Sequence, residues 1–132
     1  RRPRYIKRGN AGLNSKTYKI IGRKELALMK DSALLINTSR GGVLDDEALI
    51  EALKSNRLRG AALDAFDPEP IPPDHPFLHL DPELQKKLVL TPHLGGVTKQ
   101  SQSRMLQMAI NNILMVMRGE PPKYIVNLEM VQ

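Results

Sequence analysis

Residues 33–63 read ALLINTSRGGVLDDEALIEALKSNRLRGAAL, and this stretch decides the fold. Ala33-Leu-Leu-Ile36 is an apolar run without alternation. Such a run predicts a strand buried on both faces, as in a parallel sheet. Asn37-Thr-Ser-Arg-Gly-Gly42 is a polar, glycine-punctuated turn. Asp45 stands where an N-cap belongs, with Asp46 and Glu47 at the positive end of the following helix dipole. Ala48, Leu49, Ala52 and Leu53 share one helical face, and the helix is predicted to run to about Asn56. After the turn at 57–60, Ala61-Ala-Leu63 is a second short buried strand. Its small residues allow a helix or a cofactor to approach closely.

Upstream, Tyr18-Lys-Ile-Ile21 is an apolar patch ending at Gly22. Arg23 to Lys30 then reads as a short helix that turns Leu26 and Met29 inward, without a good cap residue at its start. Downstream, the span from Asp64 to Pro82 holds Pro68, Pro70, Pro72, Pro73, Pro76 and Pro82, which predicts a long loop. Leu88-Val-Leu90 is a third strand, closed by Thr91-Pro-His93. One long helix is predicted from about Thr98 to Arg118, stopped by Gly119-Glu-Pro-Pro122. Met105, Met108, Ala109, Ile113, Val116 and Met117 line one side of it, and Leu106, Ile110 and Leu114 widen the stripe. A helix that apolar is expected to touch two bodies, and its Met-rich stripe reads as core. The order strand–helix–strand–loop–strand–helix argues an α/β fold. Three strands make it the second half of a doubly wound parallel sheet of Rossmann type, with a long C-terminal helix.

The chain has 132 residues, of which 41% are hydrophobic and 26% charged, an ordinary globular balance. It has no Cys, which excludes a disulfide framework and thiolate metal sites and suits a reducing, cytoplasmic compartment. No apolar run approaches the ~18 residues of a membrane span. Three Tyr, two Phe and no Trp disfavour a base-stacking surface and, with it, nucleic acid as a partner. The net charge of +6 is uneven: residues 1–30 hold ten Lys/Arg and one acid, Glu25, while the rest hold ten Lys/Arg and 13 acids. Arg1, Arg2, Arg4, Lys7 and Arg8 form a basic arm over residues 1–12. Three readings compete for it: a nucleic-acid or anionic-membrane arm, a transit peptide, or a poorly ordered end of a longer chain. The last is favoured.

In an open parallel sheet, ligands bind beyond the carboxyl ends of the strands. The first strand is followed by Thr38, Ser39 and Arg40, the second by Asp64 and then Glu69, the third by Thr91-Pro-His93. One Arg, two acids and one His along one edge form a candidate anion-binding and proton-transfer site. Taken singly, Arg40 reads as a surface cation, Asp64 as a loop cap, Glu69 as a solvent-facing acid and His93 as a loop histidine. Their placement after successive strands is what favours a site. His75 and His79 are four apart, but the surrounding prolines deny them the helix face that a metal pair would need. No G-x-G-x-x-G, P-loop, H-E-x-x-H or G-x-S-x-G occurs.

Leu34–Gly42, Asp45–Leu49, Gly60–Phe66, Glu69-Pro70 and Leu90-Thr-Pro-His-Leu-Gly-Gly96 together resemble the D-isomer-specific 2-hydroxyacid dehydrogenases. That family includes phosphoglycerate, glyoxylate/hydroxypyruvate and D-lactate dehydrogenases. The resemblance runs from about Thr17 to Asn127. It implies an oxidoreductase that moves a hydride between NAD or NADP and a D-2-hydroxy acid or 2-oxo acid. Arg40 matches the substrate-binding arginine, and Glu69 and His93 match the acid–histidine pair. Asp64 matches the acid at the nicotinamide end of the cofactor. Thr38 and Ser39 match the backbone beside that ring and its ribose, and Gly95 and Gly96 match a turn next to it. No metal is implied. By the same resemblance, residues 13–97 are part of a dinucleotide-binding domain, and 98–132 are a helix and tail leading back to a largely absent substrate domain.

The family's Gly-rich phosphate loop and its ribose-binding acid would lie upstream, so these residues alone are expected to be inactive. Arg1–Gly12 does not read like the strand that precedes this region in the family. A homodimer is expected, from the broadly apolar last helix and a free sheet edge. The alternative reading is a non-catalytic dinucleotide-sensing or partner-binding module of the same fold.

Overall fold

The computed structural model describes residues 12–125 together with the strand Tyr5–Lys7. In chain order the elements are β1 (Tyr5–Lys7), α1 (Arg23–Ala27), β2 (Leu34–Asn37), α2 (Asp46–Lys54), β3 (Gly60–Leu63), α3 (Pro82–Gln85), β4 (Leu88–Leu90) and α4 (Lys99–Met117). Single 3₁₀ turns lie at Gly41–Val43 and Pro76–Leu78. The strands form one sheet in the order β1-β2-β3-β4, parallel throughout. The architecture is α/β with a long C-terminal helix, as the alternation of elements predicts. Two compact units divide the chain, one up to His93 and one from Leu94.

In the first unit, α1 and α2 pack together over one face of the sheet, around Leu26, Met29, Leu35, Leu49, Leu53 and Leu63. Asp45 caps α2 as expected, its carboxylate accepting from the Ala48 N–H at 3.2 Å. Asn56, at φ 56°, ends the helix in a left-handed residue. The Arg57 N–H bonds the Ala52 carbonyl at 2.9 Å and the Asn56 N–H bonds that of Leu53 at 3.3 Å, the pairing of a Schellman cap. Asp45→Ala is expected to cost about 1 kcal/mol of stability in denaturant unfolding, because it orphans that capped N–H.

Three expectations need correction. The sheet has four strands, because Tyr5–Lys7 pairs with β2 in the register Tyr5↔Leu34 to Lys7↔Ile36. Tyr and Ile favour strands, and β2 offers an open edge of unpaired donors and acceptors. The predicted disordered arm over 1–12 therefore does not hold at residues 5–7, while 1–4 and 8–11 lie outside the described residues. Second, β2 is not buried on both faces: Leu35 and Asn37 point inward, while Leu34 and Ile36 are exposed. The register puts Ile36, Ala62 and Val89 in one row on that open face. The helices of this unit cover only the other side. Third, the proline-rich span holds a 3₁₀ turn at Pro76–Leu78, and at its end α3 opens on Pro82 with Asp81 as its cap. Proline at the first helical position loses no hydrogen bond, as that N–H would be unpaired anyway.

The second unit is α4 and its tail. Thr98 caps α4 by accepting from the Ser101 N–H at 3.1 Å, and Gly119 closes it at φ 74°. The tail folds back through two bonds between Asn112 and Lys123, each 3.0 Å. No residue of α4 is buried, so its apolar stripe is not core within this unit.

Candidate active site

The ends of β2, β3 and β4 stand side by side, and each delivers part of the site. The Asp64 N–H bonds the Asn37 carbonyl and the Thr91 N–H bonds the Leu63 carbonyl, both at 2.9 Å. These bonds carry the ladder one residue past the strands and align the three loops. Asp64 Oδ1 then accepts from the Thr91 hydroxyl and from the His93 N–H at 3.2 Å. His93 sits at φ 55°, in the left-handed region, where a non-glycine residue stores of the order of 1–3 kcal/mol. Asp64, through the backbone N–H, and Glu69, through the ring Nδ1, hold it there.

His93 Nδ1 lies 2.9 Å from Glu69 Oε2 and 3.0 Å from Oε1. An ionised carboxylate only accepts, so Nδ1 carries the proton and Nε2 is left to exchange one. Glu69 Oε1 also accepts from the Phe66 N–H at 2.8 Å. That bond, followed by His93 and then the Arg40 charge, holds the Glu69 carboxyl below the usual carboxylate range. Both side chains of the pair are 37% exposed, so the edge is open to a small solute. Arg40 is exposed and donates from Nη1 to the Ser39 carbonyl at 2.8 Å.

The structure thus brings Glu69, His93 and Asp64 together, with Arg40 acting on Glu69 through its charge. Thr38 is exposed. Ser39 is buried, its hydroxyl donating to Asn37 Oδ1 at 2.7 Å. Gly95 and Gly96 belong to the second unit, where both are exposed and a side chain at Gly96 would meet open space.

Asn37, Gly41 and the pair His75–Asp46 escape the sequence reading. Asn37 knits the β2 loop, donating to the Arg40 carbonyl at 3.0 Å while accepting from Ser39. Gly41 lies flat against the backbone of Phe66 and Asp67, where any Cβ would overlap it. The Gly-Gly pair was the available signal, but a glycine needed for contact looks the same in sequence as one needed for a turn. His75 is buried, with Nε2 3.4 Å from Asp46 Oδ2. Burial pushes the Asp46 carboxyl up to about 6, against the lowering effect of His75. His79 instead contacts the Pro73 carbonyl at 2.7 Å.

Residues 9–95 match the family model described as D-isomer specific 2-hydroxyacid dehydrogenase, NAD binding domain. A glyoxylate reductase of Thermofilum pendens is 42% identical over 120 residues, which cover 91% of this chain and 34% of that protein. The D-isomer specific 2-hydroxyacid dehydrogenase of Lactobacillus delbrueckii ssp. bulgaricus, in its NAD-complexed form, aligns with a TM-score of 0.72 at 36% identity. That alignment covers 89% of this chain and 38% of the other. The enzyme of the same description from Xanthobacter autotrophicus Py2, in complex with NADPH and MES, gives a TM-score of 0.71 at 31% identity, over 86% and 44% of the two chains. The chain spans about a third of the length of the first curated relatives it matches. With the strand-end motifs, the parallel sheet and the family model in agreement over residues 9–95, the chain belongs to the D-isomer specific 2-hydroxyacid dehydrogenase family, within its NAD-binding domain.

Proposed function

We propose that this chain carries the acid–base pair and the nicotinamide end of the cofactor site in an oxidoreductase that interconverts a D-2-hydroxy acid and its 2-oxo acid. The observation that supports this most is the 2.9 Å contact of His93 Nδ1 with Glu69, on the edge shared with Arg40 and Asp64.

The residues present fit one end of a nicotinamide dinucleotide. Asp64 is fixed through Oδ1, and among the described residues no donor meets its Oδ2, which is left to accept from a carboxamide N–H. The exposed residue Thr38 and the carbonyl of Ser39 are the proposed neighbours of the ring and its ribose; Gly95 and Gly96 are assigned to the cofactor by the family resemblance alone. No G-x-G-x-x-G occurs in the sequence, so the pyrophosphate has no such holder among these residues. Bound here, NAD or NADP supplies the hydride chemistry at the carbon bearing the substrate oxygen.

The side chains do the rest. A 2-oxo acid has a carboxylate beside a carbonyl, and the planar Arg40 fork matches both oxygens. His93 Nε2 donates a proton to the carbonyl oxygen as negative charge builds there, and removes it again in the direction of alcohol oxidation. Glu69 fixes the tautomer and orients the ring. The same reading makes the partner a small hydroxy or oxo acid, the working form a homodimer and the compartment the cytoplasm. Exposed Leu34, Ile36 and Val89 support association. Among the described residues no helix is long and apolar enough to cross a membrane.

The test is oxidation of NADH or NADPH by glyoxylate or hydroxypyruvate, measured on the whole polypeptide that carries this chain. Arg40→Lys keeps the charge but loses the two-pronged geometry. It is expected to lower kcat/KM by about tenfold or more, mostly through KM. An unchanged KM would remove Arg40 from substrate binding.

A further inference from the structure

The proline-rich loop that delivers Glu69 is pinned in its middle by a pair that the chemistry above does not use. We propose that His75 and Asp46 form a latch that holds Glu69 against His93, which makes His75 a positioning residue for the acid–base pair. The proposal rests on the reading of Glu69 and His93 given above, but the contact it explains is measurable without turnover.

His75 is buried, at 8% exposure. Its Nδ1 accepts from the Phe77 N–H at 3.3 Å. That assigns the ring proton to Nε2, which faces Asp46 Oδ2 at 3.4 Å. The ring also lies 4.8 Å from that of Phe77, itself in the core. Nδ1 is thus hydrogen-bonded by the loop's own backbone, and Nε2 faces a carboxylate on the first turn of α2 at ion-pair distance. Between Glu69 and His75 stand Pro70, Pro72 and Pro73. Each fixes its own φ, and the residue before each is restricted too, so the segment behaves as a stiff strut rather than a slack tether. Fixing His75 to α2 therefore fixes where the other end of the strut leaves Glu69.

The charge arrangement argues against simple packing. Asp46 is partly buried, with Asp45 beside it, and Glu47 and Asp67 line the same hollow as His75. The Lys19 ammonium and His75 are what oppose the burial cost. A partly buried carboxylate facing a buried imidazole is costly unless the two are paired, and here the pair joins the loop to the first turn of α2. Two other anchors compete: Ile71, packed on the core, and the Gly41–Phe66 contact.

Nitrogen-15 NMR of the histidine rings in the whole chain tests the idea. In the native chain, neutral His93 is expected to show a hydrogen-bonded Nδ1–H and a bare Nε2. His75→Gln puts an amide N–H where Nε2–H stood and is expected to keep that signature. His75→Asn keeps only the acceptor for Phe77 and is expected to lose it. In the whole polypeptide, His75→Asn is expected to lower kcat about tenfold with KM within about twofold, and His75→Gln to restore it. Asp46→Ala, which leaves the loop sequence intact, is expected to match His75→Asn even if the latter folds poorly. An intact His93 signature in folded His75→Asn or Asp46→Ala overturns the latch and leaves Ile71 and Gly41 as the anchors. If the signature responds as expected but the native polypeptide reduces no 2-oxo acid, the latch stands and the dehydrogenase reading falls.

Discussion

Replacing His93 by Ala is expected to lower the turnover of 2-oxo acids by about 10²–10⁴-fold, the usual worth of a positioned general acid–base group. The size follows from the geometry. With Nδ1 committed to Glu69, Nε2 is the nitrogen free to exchange a proton, and no second imidazole shares the edge, because His75 and His79 are engaged elsewhere. The fold should survive, since His93 is only partly buried. Its left-handed backbone is the one structural risk, and His93→Asn, which tolerates that region well, is the companion variant. Both should leave the melting temperature within a few degrees while kcat collapses. A rate within about twofold of native in either variant removes His93 from the chemistry. Glu69→Gln should fall less far, because its side-chain oxygen still accepts from Nδ1 and so keeps the ring's tautomer.

The second large effect is expected at a residue with no side chain. Gly41→Ala should destabilise the chain by about 1–3 kcal/mol, the ordinary cost of overpacking, read by denaturant unfolding. It should also weaken the Glu69–His93 contact. A methyl group at Gly41 overlaps the backbone of Phe66 and Asp67, so one loop must retreat. Phe66 is the residue whose N–H holds Glu69 Oε1. Displacing it releases the carboxylate and undoes the main reason its pKa is low. Gly42→Ala is the control. Its Cβ would meet the ends of two movable side chains, Asp67 Oδ2 at 2.7 Å and Leu13 at 3.1 Å, which can swing away. Equal losses in the two variants would show that the close approach at Gly41 has no special role.

Much of the candidate site is legible in the sequence. Arg40, Asp64, Glu69 and His93 could be named because each follows a strand, and strand ends on one edge of a parallel sheet must converge. The contact between Glu69 and His93, 24 residues apart, confirms that convergence for the pair. Asn37, Gly41, Asp46 and His75 were not legible as holders. Each acts through a neighbour distant in the chain, and nothing in its local pattern marks which neighbour that is. Of His75 and His79 the sequence shows only their spacing, which raises a metal pair and says nothing of Asp46.

The sequence by itself determined β2, β3 and β4, the Asp45 cap, the stop of the last helix at Gly119 and the parallel order of the elements. These depend on local backbone preference and on apolar runs, which are written residue by residue. Tertiary structure alone decided that Tyr5–Lys7 joins the sheet, that Leu34 and Ile36 stay exposed, that a helix opens at Pro82 and that Gly41 must have no side chain. Whether an apolar residue is buried, or a glycine is indispensable, depends on what lies against it. That is a property of the packed chain and is not encoded in any window of its sequence.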